Sequence, residues 1–233
     1  MTHLTGALIN GLGILAGTLI GLIWGRRIHH QFRDQATKIL GLVVSLIGLK
    51  MAWAMSDPVN ILLSLLLGAW TGHALGLQDR LDHMGQRIER WAGQQGAVQG
   101  FLTATLIFNV GAMAIIGSIQ AGLSNHPTVL QTKALLDGTT ALLLSSVMGW
   151  GVVLSAPVTV LYEGLLSLGA HSLALILKGA VLNDLTVVGG IMVAAIGVNF
   201  LADKPIIRLA DLLPALIWTM AFAGLKHLGL SFV

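Results

Sequence analysis

The sequence predicts an all-α integral membrane bundle of about eight transmembrane helices, and three observations carry that prediction. Hydrophobic residues make up 55% of the 233 and charged ones only 10%, where soluble domains carry roughly a quarter charged. The mean hydropathy is +0.83. Finally, the apolar residues gather into eight runs, each close to the ~20 residues a helix needs to cross about 30 Å of hydrocarbon. The chain reads as one transmembrane domain over residues 1–233. It has no cysteine, so neither a disulfide framework nor a thiolate metal site is available.

In chain order the runs are Gly6–Trp24, Lys38–Met55, Val59–Leu77, Phe101–Leu123, Ala134–Leu154, Val158–Leu177, Leu185–Leu201 and Leu209–Leu228. Ahead of the first run there is no basic leader and no small-residue cleavage site, so it reads as a retained helix. That run carries Gly13, Gly17, Gly21 and Gly25, and the third carries Gly68, Gly72 and Gly76. Four-residue glycine stripes let helix backbones approach closely where lipid supplies no hydrophobic drive. They suit packing within the chain or between two copies in a homodimer. Between the third and fourth runs, residues 78–95 place Leu81, Met84, Ile88 and Trp91 at helical spacing in a hydrophilic setting, as in an amphipathic helix lying on a membrane surface.

The fourth run carries more polar atoms than crossing a bilayer requires. Gly100 to Leu123 would cover roughly 36 Å as one helix, and Thr105, Asn109 and Gln120 would then share a face, with Ala112 and Ile116 between them. That face is expected to meet protein or water. The fifth and sixth runs are separated only by Ser155, Ala156 and Pro157. They form either a tight hairpin or one broken segment, which would leave seven helices.

Charge orients the bundle. Arg26, Arg27, Arg33, Lys38, Arg80, Arg87, Arg90, Lys204 and Arg208 fall on one side of an eight-helix map, and Lys50, Lys133, Lys178 and Lys226 on the other. The positive-inside rule puts the first group in the cytoplasm and both termini outside it. The net charge of +3 is explained by those loops, and no nucleic-acid partner is expected.

There is also an internal echo. Thr37 to Gly41 followed by Ile47 and Gly48 matches Thr186 to Gly190 followed by Ile196 and Gly197 at one constant offset, which sets Lys50 opposite Asn199. Upstream, the segment around Asn10 and Gly11 resembles the one around Glu163 and Gly164. Helices one to three would repeat as six to eight in inverted orientation, an arrangement found in secondary transporters with sites near the bilayer midplane.

Glu163 is the outstanding chemical candidate, because a carboxylate inside an apolar run costs about 2.5–3.5 kcal/mol unless protonated, paired or wet. Asn10, Asn109 and Asn199 offer amide ligands for a polar solute or cation, and Thr105 and Gln120 extend that polar surface. Each is also suited to joining helices, at roughly 1 kcal/mol per bond. Lys133 and Asp137 are four residues apart, and Asp137 reads as a carboxylate at the positive end of the fifth helix. Asn183 and Asp184 read as caps of the seventh. Lys50 sits near a helix end, from which it can snorkel. His29 and His30 lie in a basic loop without carboxylate partners, so no metal site is expected. No phosphate-cradling loop, HExxH or GxSxG motif occurs, and no cofactor is expected.

Several ordered motifs together resemble a known family: GFLTATLIFNVGAMAIIGSIQAGL, TKALLDGTTALLLSSVMGWGV, Tyr162-Glu163-Gly164, and GGIMVAAIGVN ahead of DLLPAL. They are similar to those of the YdfK/YqgA-like bacterial membrane proteins, domain-of-unknown-function family 554, and the likeness runs nearly end to end. The resemblance implies a protein of the bacterial cytoplasmic membrane and supplies no substrate. The expected function is a small secondary transporter or channel for an ion or small polar solute. The alternative is a membrane scaffold or regulatory subunit that transports nothing. An enzyme is not expected, since no nucleophile and base are brought together in the sequence.

Overall fold

The computed structural model describes residues 4–25, 30–92, 97–124, 127–177, 179–202 and 205–227. All the described secondary structure is helical. The α-helices are α1 (Thr5–Gly25), α2 (His30–Ala52), α3 (Pro58–Ala74), α4 (Leu77–Ala92), α5 (Ala97–Asn109), α6 (Ala112–Ser124), α7 (Thr128–Met148), α8 (Ser155–Leu168), α9 (Ala170–Ile176), α10 (Ala180–Leu201) and α11 (Pro214–His227). Short 3-10 turns at Trp150–Leu154 and Leu209–Leu212 lead into α8 and α11. Four stretches are long and apolar enough to cross a membrane, at Thr5–Gly25, Asp34–Ala52, Trp150–Leu168 and Ala180–Leu201. Counting two bent helix pairs as spans brings the number to six.

Three predicted elements are redrawn. The fourth run is two helices bent by 59° at Val110 and Gly111, so a single helical wheel does not relate Asn109 to Gln120. The break between the fifth and sixth runs falls at Gly149, whose φ of 83° suits glycine, well before Ser155. From Trp150 to Leu168 the chain is one stretch long and apolar enough to cross a membrane. Gly76 does not continue the packing stripe of α3. It has φ 62° with nothing within 4 Å of an added Cβ, and it turns the chain from α3 into α4, a bend of 53°. The amphipathic helix is α4, and residues 93–95 of its predicted range lie outside the described residues, as do Arg26, Arg27, His29, Lys178 and Lys204.

The described chain forms two compact units, Met1–Leu40 with His83–Ile176, and Gly41–Asp82 with Leu177–Val233. In the first, the glycine stripe of α1 lies directly on α7. Gly13 meets the carbonyl of Ala134, Gly17 that of Gly138, Gly21 that of Leu142 and Gly25 that of Ser146, so two four-residue ridges run against each other. An added Cβ on Gly17 would stand 1.9 Å from the Gly138 oxygen. The first glycine stripe is thus used inside the chain. Behind it, Ile14, Ala104, Phe108, Ala141, Leu144, Val152 and Ala156 form a closed apolar core. The outward faces are leucine-rich, as at Leu12 (64% exposed) and Leu161 (63%), while polar Asn10, Thr18, Thr159 and Glu163 are fully buried. Polar inside and apolar outside is what a bilayer imposes.

In the second unit, Gly68 and Gly72 of α3 lie against Ala215 and Asp211. Asp211, buried, accepts the Gln78 backbone N–H at 3.0 Å and Arg208 Nε at 2.8 Å, and Arg208 also reaches Asp79 at 2.8 Å. The start of α4 is tied in this way to the turn before α11. Asn199 ends α10 in a similar role. Its Oδ1 accepts the N–H groups of Ile206 and Ile207 at 2.9 Å, and its Nδ2 donates to the Ile207 carbonyl at 2.7 Å. Replacing Asn199 with leucine is expected to strand these backbone groups. Stability in detergent, followed by tryptophan fluorescence on heating, should fall by about 2–3 kcal/mol. An unchanged unfolding temperature would show that the loop holds itself.

Candidate functional site

The only charged residues on α1, α5, α6, α7 and α8 are Lys133, Asp137 and Glu163, and the fold brings all three together in the interior of the first unit. Each helix contributes through its local sequence. On α7, Lys133 and Asp137 are one turn apart and face the same way, and their side chains form an ion pair. On α8, Glu163 extends toward them and stands 3.3 Å from Lys133 Nζ. From α1, Asn10 Nδ2 donates to Glu163 Oε1 at 2.7 Å and lies 3.0 Å from Asp137 Oδ2. So short a side chain reaches both carboxylates because its helix is stripped nearby. Gly6 lies against Leu130, Gly11 against Val160, and Gly13 against Ala134.

The cluster is dry. Asn10 and Glu163 are 0% exposed, Lys133 4% and Asp137 8%. Fully ionised, it holds two negative charges against one positive, and removing charge from water is affordable only when it is matched. Two acceptor oxygens in it, Asn10 Oδ1 and Glu163 Oε2, have no hydrogen-bond partner among the described residues. The arrangement offers oxygen ligands and one surplus negative charge, which is the chemistry of cation or proton binding. It contains no serine, threonine or cysteine nucleophile.

A polar line leads from it along α8. Ser155, Thr159, Glu163 and Ser167 recur every four residues and are all buried. Asn109 Nδ2 donates to Thr159 Oγ1 at 3.0 Å and to the Thr105 carbonyl at 2.9 Å, while Ser167 Oγ donates to the Ser118 carbonyl at 2.9 Å. Asn109 Oδ1, Thr105 Oγ1 and Ser118 Oγ are buried without partners among the described residues. These atoms border the break between α5 and α6 and the body of α8.

Four of the six predicted ligands therefore converge on this region. Asn10 and Glu163 touch, and Asn109 and Thr105 join the same face of α8 through Thr159. Gln120 is exposed, and Asn199 holds a loop in the other unit. Two expectations are corrected. Asp137 is not at the helix start, because α7 begins at Thr128 and its first turn carries no acid. Lys133 is correspondingly a buried residue in the second turn of α7. Asn183 and Asp184 lie inside α10, which begins at Ala180, and Asn183 donates to the Ala54 carbonyl at 2.9 Å. The four-residue polar spacing of α8 was the overlooked signal in the sequence. Its hydroxyls are unremarkable singly and form a stripe only when counted together.

Comparison with known proteins agrees with the apolar character of the chain. It is 28% identical over 216 residues to the uncharacterized membrane protein YdfK of Bacillus subtilis (strain 168), covering 91% of this chain and 92% of that one. It is 24% identical over 230 residues to the uncharacterized protein YqgA of Escherichia coli (strain K12), covering 94% and 96%. No solved structure matches it. The family model described as a protein of unknown function, DUF554, matches residues 5–224, and the chain belongs to that family.

Proposed function

We propose that the protein is a small secondary transporter of the bacterial cytoplasmic membrane that moves a cation or a cation-coupled solute through the buried Glu163 site. The observation that carries this reading is the Lys133, Asp137, Glu163 and Asn10 cluster, held by three helices away from both water and lipid. Ionisable groups so placed are costly, and in membrane proteins such groups mark pathways for ions and protons.

An inverted repeat fits the same reading, and each unit carries a contact pattern that supports it. At the constant offset relating Gly41 to Gly190 and Gly48 to Gly197, the partners of Met51, Ala52 and Ser45 are Phe200, Leu201 and Ala194. Gly41 lies against Gly197, Phe200 and Leu201, and Gly190 against Gly48, Met51 and Ala52. Gly48 lies against Ala194, and Gly197 against Ser45. Every contact is thus answered by its counterpart, as across a two-fold axis. In the other unit the matched pair Asn10 and Glu163 touch directly. Eight spans, with both termini outside the cytoplasm, accommodate this repeat and the distribution of Lys and Arg.

Purified protein in sealed vesicles is expected to carry out cation or proton flux that a Glu163→Gln variant loses by about tenfold or more, since the isosteric amide removes the charge. Equal flux in variant and parent would exclude Glu163 from the mechanism.

A further inference from the structure

We propose that the occupant of this site is a single monovalent cation, and that the ammonium of Lys133 is its tethered competitor for the oxygens of Glu163. The proposal rests on the transport reading only for where the cation goes afterwards. Binding itself follows from the cluster.

Charge arithmetic comes first. One ammonium and two carboxylates leave one negative charge, and among the described residues the helices packed on α8 supply nothing to cancel it. α1, α5 and α6 carry no charged residue, and His171 of α9 is exposed. One added positive charge makes the buried cluster neutral, whereas a divalent ion would leave it positive and an anion would double the deficit. The chemistry of the unpartnered atoms agrees. Asn10 Oδ1 is a carbonyl oxygen and Glu163 Oε2 belongs to a carboxylate, so both can only accept; a water O–H would satisfy them too, but of the groups that also cancel the surplus charge a proton or an oxygen-seeking alkali cation fits them.

Lys133 gives the site its second state. Its Nζ contacts both Asp137 and Glu163, but the two bonds are not equivalent. Asp137 is one turn along the same helix, within the ordinary reach of an i,i+4 pair, whereas Glu163 is on another helix. A cation at Glu163 therefore repels the ammonium toward Asp137, and loss of the cation lets it return. The cluster alternates between an internal and an external cation at the same carboxylate.

The test is equilibrium binding of radioactive sodium, with potassium as competitor, to the full chain in detergent micelles, alongside proton uptake read with a pH indicator. One sodium per chain is expected, with binding lost in Glu163→Gln and tightened on the order of tenfold in Lys133→Gln, because the competitor is gone. Should that variant not fold, Lys133→Gln with Asp137→Asn keeps a single carboxylate and is expected to show the same gain. If the cation is the proton, no alkali ion binds. One proton per chain then titrates in the parent and not in Glu163→Gln, and its midpoint rises by about a unit in the lysine variants. Binding unchanged or weakened by loss of Lys133 overturns the competition, and absence of both sodium binding and a titrating proton overturns the proposal entirely. Binding in micelles without flux in vesicles would instead retire the transport reading and leave this site standing.

Discussion

A chain in which Lys133 is replaced by methionine is expected to lose about 3–5 kcal/mol of stability at neutral pH, the cost of leaving a buried charge without its partner. The replacement fills nearly the same volume, so the loss isolates electrostatics from packing. Asp137 and Glu163 would face each other across α7 and α8 with Asn10 as their only common donor among the described residues. Combining Lys133→Met with Asp137→Asn and Glu163→Gln removes all three charges together and is expected to return the unfolding temperature close to that of the parent, because neutral polar groups pay far less for burial. Thermal unfolding in detergent, read through the six tryptophans, separates these cases. A single variant as stable as the parent would mean that the two carboxylates do not share the charge of Lys133. A triple variant that is stable yet inactive would show that the charges are kept for function at the expense of stability.

The second large effect lies at the helix contact that holds the site. Gly17→Val should cost 3 kcal/mol or more, at or beyond the usual ~1–3 kcal/mol of overpacking, because what its side chain meets is backbone. The first added carbon would stand 1.9 Å from the Gly138 oxygen and 2.7 Å from its carbonyl carbon, where a relaxed contact needs roughly 3.5 Å. Neither ridge can yield locally. Gly13, Gly21 and Gly25 make the same approach at 2.6, 2.2 and 2.6 Å, so α1 must leave α7 along its length. Asn10, on the same helix, would be drawn from Asp137 and Glu163, and cation binding should fall together with stability. Gly111→Ala is the control, since nothing stands within 4 Å of its added carbon, and it should stay within about 0.5 kcal/mol of the parent. Equal tolerance of both substitutions would contradict the packing of α1 on α7.

The polar contacts show where local sequence information stops. Asn10 and Glu163 can be linked beforehand, because each sits in a similar frame of leucine and glycine, and they meet at 2.7 Å. Lys133 and Asp137 resist the same reading. A lysine and an aspartate one turn apart look alike on a wet helix face and in a closed interior, and only the approach of α1 and α8 decides between the two. Gln120 shows the opposite failure. Its alignment with Asn109 assumes an unbroken helix, and the bend at Val110 and Gly111 involves no proline to announce it. Likewise Gly76 belongs by spacing to a packing stripe, yet the chain uses it to turn.

Class and family are therefore local properties. Composition, apolar run length and ordered motifs suffice for a helical membrane protein of this family, because a bilayer constrains each segment independently of the others. The site is a property of the assembled helices. Four-residue glycine spacing announces that α1 approaches something closely, but which helix it meets is set by the matching ridge Ala134, Gly138, Leu142 and Ser146. That meeting encloses one lysine and two acids beside an asparagine, far apart in sequence. Burial, which turns a modest surface pair into a cluster demanding one more positive charge, exists only once the helices have packed.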